Sequence, residues 1–136
     1  MDLDTFLRTL PKTELHVHIT GSVQLATVVD LAKKYDFKLP YQDQPEELYD
    51  RSEFKSILHI LKIVCELLRE PDDFRRIAYE TQQEAARNGV RYREIFWNPT
   101  DHIDIAGIPY KTAQDGFIAG LREAETDFKI TGRLIP

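Results

Sequence analysis

The chain has 136 residues, 42% of them hydrophobic and 30% charged, with 18 basic against 23 acidic side chains and a formal net charge of -5. That length suffices for one ordinary domain with a sizeable core, no apolar run approaches the roughly 20 residues that cross a bilayer, and the acidic balance argues against a general nucleic-acid binder. A single cysteine, Cys65, excludes an internal disulfide framework, and Asp2 and Asp4 ahead of Phe6 and Leu7 lack the pattern of a secretory signal, so the expectation is a cytoplasmic protein whose partners are small molecules or other chains.

In chain order, Thr5 to Leu10 reads as a short helix stopped by Pro11. Thr13 to Ile19 alternates polar and apolar residues as a strand does, and Gly21 then permits a sharp exit. From Gln24 to Tyr35 the residues Leu25, Val28, Val29, Leu31, Ala32 and Tyr35 recur at helical spacing, and the segment through Leu39 and Pro40 ends that helix. Ser52 has the chemistry of a cap for a helix whose stripe is Phe54, Ile57, Leu58, Leu61, Val64, Cys65 and Leu68. Pro71 opens another helix through Phe74, Ile77, Ala78, Thr81 and Ala85, which Gly89 terminates. Val90 to Trp97 is a β-branched and aromatic strand closed by Asn98-Pro99, followed by a loop containing Gly107 and Pro109. Tyr110 to Thr126 returns to helical spacing, and Lys129 to Ile135 is a third strand.

Strands alternating with helices predict an α/β fold with a parallel sheet of about three strands. No repeat, low-complexity tract or linker divides residues 1–136, which read as a single segment. About three strands leave sheet edges unpaired and one face uncovered, so the expectation is the incomplete N-terminal portion of a (β/α)8 TIM-type barrel, a fold of about 250 residues. The exposed edge is open to self-association.

His16 and His18 carry the chemistry. Residues two apart on a strand share a face, so both imidazoles can reach one metal ion while Leu15, Val17 and Ile19 bury the other face. The plain alternative is two histidines on a half-exposed strand. His59, on the polar side of its helix, and His102, in the loop, lack partners at ligand spacing and read as surface residues. Glu94 suits a salt bridge with a residue of another strand, and Cys65 suits the core.

The run Leu10-Pro11-Lys12-Thr13-Glu14-Leu15-His16-Val17-His18-Ile19-Thr20-Gly21-Ser22 resembles the opening of the adenosine and adenine deaminase family, zinc-dependent hydrolases on a β/α barrel. Asn88 to Pro99 resembles that family's second strand, and Gly107-Ile108-Pro109-Tyr110 is most similar to its adenine deaminase branch. The resemblance implies that His16 and His18 are zinc ligands and that the substrate is a 6-aminopurine, deaminated hydrolytically with release of ammonia. It also implies that the remaining ligands and every acid or base of the reaction lie further along, so that no catalytic residue falls within this chain and the chain alone is inactive. Gly21 would lie beside the substrate, and Phe54 and Leu58 would belong to an apolar lid over the pocket, where the plain alternative is core packing. Thr20 departs from the family's usual acidic residue, which in the adenosine branch holds a sugar hydroxyl. A neutral hydroxyl cannot replace that charge-assisted bond, which shifts the expectation toward a free or modified 6-aminopurine, unless Thr20 is only a turn residue. The His-x-Glu and Pro-Cys-x-x-Cys motifs of cytidine-type zinc deaminases are missing, which excludes that class. The rival to the enzyme reading is a noncatalytic fold fragment or interaction module with an incomplete metal site; another hydrolase of the same barrel type is a third.

Overall fold

The computed structural model describes residues 2–41, 43–49 and 54–136, the side chains of 54–56 excepted. Six helices and three strands occur among them: α1 (Leu3–Thr9), β1 (Lys12–His18), α2 (Leu25–Lys34), α3 (Phe54–Leu67), α4 (Pro71–Arg87), β2 (Val90–Phe96), α5 (Pro99–Ala106), α6 (Tyr110–Phe128) and β3 (Thr131–Ile135). Short 3-10 turns cover Ile19–Ser22 and Pro45–Tyr49. The cap expected at Ser52 lies outside the described residues.

The sheet has the order β1-β2-β3, and both pairings are parallel. Helices cover one face. Ile95 and Leu134 meet Phe74, Ile77, Ala78, Phe117 and Leu121 in one core that also takes in α2 and α3 through Val28, Leu31, Val64 and Leu67. Each crossover is built from local signals. Helix α4 starts with Pro71 in its first turn and a reciprocal capping box between Glu70 and Asp73, and it ends before Gly89, whose φ of 82° only glycine adopts readily. Lys12 then ties the start of β1 to this corner, donating from Nζ to the carbonyls of Leu10 and Asn88, both at 2.9 Å.

Two features depart from the expectations. The stretch after Asn98 is the helix α5, with Pro99 in its first turn and Gly107 in the left-handed conformation at its end; eight residues are too few for a periodic stripe to reveal. Strand β1 is also irregular. Glu14 lies beside Arg93 and Val17 beside Ile95, so three residues of β1 run against two of β2. This bulge breaks the expected alternation: Val17 and Ile19 are buried, but Leu15 is 58% exposed and does not join their face.

Candidate metal centre

The bulge determines what β1 presents at its carboxyl end. Neighbours in register on a parallel sheet share a face, so Glu14 goes with Arg93 toward the helices, while His18 goes with Phe96 toward the open face. The Arg93 guanidinium is buried; it donates from Nε to Glu14 at 2.8 Å and from Nη1 to the Thr81 carbonyl in α4 at 3.1 Å. A buried arginine satisfied in this way pins β1 to β2 at the bulge. The cross-strand ion pair expected at Glu94 is therefore formed one residue earlier. Glu94 itself accepts from the Tyr92 hydroxyl at 3.2 Å, and no ion pair of Glu94 occurs among the described residues.

His16 lies in the bulge and His18 just past it, and their Nε2 atoms approach to 3.3 Å. Two zinc–imidazole bonds of about 2.0–2.1 Å meeting at the tetrahedral angle separate their nitrogens by about 3.3 Å, so the pair fits two positions of a tetrahedral ion. One protonated Nε2 donating to the other satisfies the same separation. His16 stacks on the Phe96 ring, with centroids 4.3 Å apart and planes 18° apart, and His18 lies tilted to the same ring at 6.0 Å. Among the described residues no group of three or more histidines, cysteines and carboxylates is placed to hold a metal.

Thr20 and Gly21 follow at once, both half-buried in the 3-10 turn after His18. Gly21 makes its turn without a positive φ; the glycines with positive φ are Gly89 and Gly107. A methyl group at Gly21 would meet Leu61 of α3 at an ordinary 3.7 Å. Leu58, one turn earlier on α3, is 50% exposed rather than core. Helix α3 begins at Phe54, whose side chain lies outside the described residues. His59 is exposed as expected.

His102 is not a surface residue. It is fully buried on α5 against Phe74, Trp97 and Phe117, and neither ring nitrogen has a hydrogen-bond partner among the described residues. Burial, only partly opposed by Asp101, pushes its pKa down to about 4. Cys65 is core as expected, and burial raises its thiol to about 12. Sequence reasoning missed Phe96 as a partner of the histidines, because its contact with them depends on the strand register; its position at the end of an aromatic strand was the available signal.

A parallel β/α layer that gathers two imidazoles at the carboxyl end of its first strand has the organisation of metal-dependent β/α-barrel hydrolases. The comparisons specify the family. Residues 11–136 match the adenosine deaminase family. An adenine deaminase of Aspergillus oryzae is 36% identical over 141 residues, covering 98% of this chain and 40% of that protein. An amidohydrolase from Burkholderia ambifaria, solved with bound zinc, superposes with a TM-score of 0.89 at 40% identity over 97% of this chain and 36% of its own. An adenine deaminase from Arthrobacter aurescens superposes with a TM-score of 0.83 at 29% identity, over 91% of this chain and 38% of its own. The chain belongs to the adenosine deaminase family, and its fold is that of the N-terminal part of a TIM-type deaminase barrel. It spans about two fifths of the length of the relatives it matches.

Proposed function

We propose that this chain forms the opening strands of a zinc-dependent enzyme that deaminates a 6-aminopurine hydrolytically, and that His16 and His18 are two of its metal ligands. The observation that carries the reading is the 3.3 Å approach of the two Nε2 atoms at the carboxyl end of β1, where barrels of this kind place their chemistry. Zinc held there supplies Lewis acidity that makes a water molecule nucleophilic near neutral pH. The chain's own residues orient and shield. The Glu14–Arg93 pair fixes the bulge that sets both imidazoles on the face opposite Glu14. Gly21 leaves the turn after the ligands narrow enough for a flat base to approach its backbone, and Leu58, half exposed on α3, would cover the pocket and exclude water. Thr20 offers a neutral hydroxyl, which favours a free or modified adenine over a substrate held by a charged contact to its sugar. Two ligands and no acid or base make no complete centre, so the activity proposed is that of the whole enzyme.

The test is metal content and ammonia release from adenine, adenosine and N6-substituted adenines, measured on the whole gene product and on its His16→Ala variant. Loss of most zinc and of at least 100-fold in turnover is the expected result. Stoichiometric zinc with normal turnover in the variant would remove the ligand assignment. An uncovered sheet face bearing Leu15 favours one second reading, an interaction module; a gene product with no bound metal and no release of ammonia would support it.

A further inference from the structure

We propose that Phe96 is a positioning residue for the metal pair: its ring, on the strand next to the histidines, fixes the plane of the His16 imidazole before an ion binds. The proposal rests on the reading of His16 and His18 as ligands. An imidazole lone pair lies in the plane of its ring, so a nitrogen ligates well only when that plane contains the ion. His16 is exposed on β1, and among the described residues no hydrogen bond restrains its plane apart from the contact with His18. The Phe96 face restrains it instead, at 4.3 Å between centroids and 18° between planes. Phe96 also lies tilted to His18, its register partner, so one side chain of β2 restrains both rings of β1.

The remainder of the structure holds Phe96 in place. Ile95 before it is fully buried and Trp97 after it is buried, and the Trp97 backbone N–H donates to the Ile135 carbonyl at 3.0 Å, extending the β2–β3 ladder past Phe96. The ring therefore projects from backbone anchored on both sides. Without it, His16 would sample rotamers in which its Nε2 points away from that of His18, and zinc would have to select the competent fraction.

The experiment is a zinc titration of the metal-free whole gene product followed by the imidazole resonances of His16 and His18, for the wild type, Phe96→Leu, Phe96→Tyr and His16→Ala, with urea unfolding measured alongside. Stacking of this kind corresponds to about a 3- to 10-fold difference in affinity. Phe96→Leu should weaken zinc binding by about that factor, remove the ring-current shift of the His16 protons in the metal-free chain and leave unfolding nearly unchanged, while Phe96→Tyr restores both signals. Equal zinc affinity in the wild type and Phe96→Leu, with His16→Ala clearly weaker, would overturn the positioning role while keeping the ligands. Equal affinity in the wild type and His16→Ala would overturn the ligand assignment, and the positioning role with it.

Discussion

His102 shows at the scale of one residue how far burial changes what a side chain does. It is enclosed by three aromatic rings, and its pKa is pushed down to about 4 from an ordinary 6.5. The native state therefore holds the neutral form, while the unfolded chain takes up a proton as pH drops below about 6.5. Above that pH neither state is protonated there and the full stability is present; between about 6.5 and 4 it is progressively lost. The shift corresponds to about 3 kcal/mol across that window. Urea unfolding at pH 7.5 and pH 4.5 should show a steeper loss in the wild type than in His102→Leu, which has nothing to protonate. Equal losses would mean that His102 reaches solvent. The contrast with His16 and His18 explains what the sequence could reveal. Alternation along a strand brought two histidines together on paper, and their separation in space agrees. The burial of His102 depends on Phe74 and Phe117, which lie on two other helices distant in sequence, and no local pattern reports that.

Among the elements, the α4–α6 contact is close at two particular residues. Gly116 and Gly120, one turn apart on α6, face α4 so tightly that a methyl group would lie 2.4 Å from the Pro71 carbonyl oxygen at the first and 2.2 Å from the Arg75 carbonyl oxygen at the second. Helix propensity alone favours alanine over glycine by about 1 kcal/mol. Here the obstruction is backbone, which cannot rotate aside, so Gly120→Ala is expected to destabilise by a net of about 1–3 kcal/mol in denaturant unfolding; a raised midpoint would mean that the helices can part freely. The change should also be felt in the sheet, since α6 leads directly into β3 and Gly132 of β3 packs against Leu121 and Gln82. Periodicity located α2, α3, α4 and α6 because each carries an apolar stripe over several turns. The same approach could not see α5, which is only eight residues long, nor the bulge in β1, which is a property of the pairing with β2. The second omission concerns the site, since the bulge sets Glu14 on the face opposite the two histidines, and the first hid the helix on which His102 is buried.

For the whole molecule, the decisive asymmetry is that helices cover one face of the sheet and leave the other open, with β1 and β3 as edges. The open face carries Leu15 along with His16, His18 and Phe96, and in a closed barrel this face becomes the interior. The parallel topology was legible from the alternation of strands and helices. The role of Leu15 was not, because the bulge moves it from the expected core face to the open one. An apolar side chain beside an unpaired edge is what strand-to-strand association uses, so the 136-residue chain by itself is expected to associate reversibly with concentration. Leu15→Lys tests the cause. Leu15 is already 58% exposed, so the substitution should alter monomer stability by no more than about 0.5 kcal/mol. If association buries this side chain, the charge should weaken it by about tenfold or more. Sedimentation equilibrium over a range of concentrations distinguishes the outcomes. Equal association constants would place the contact away from this face, and a wild-type chain that stays monomeric throughout would show that the open sheet tolerates water without a covering partner. A weakened constant at unchanged stability would assign the contact to the surface that barrel closure buries, so that association and the completion of the metal centre compete for the same residues.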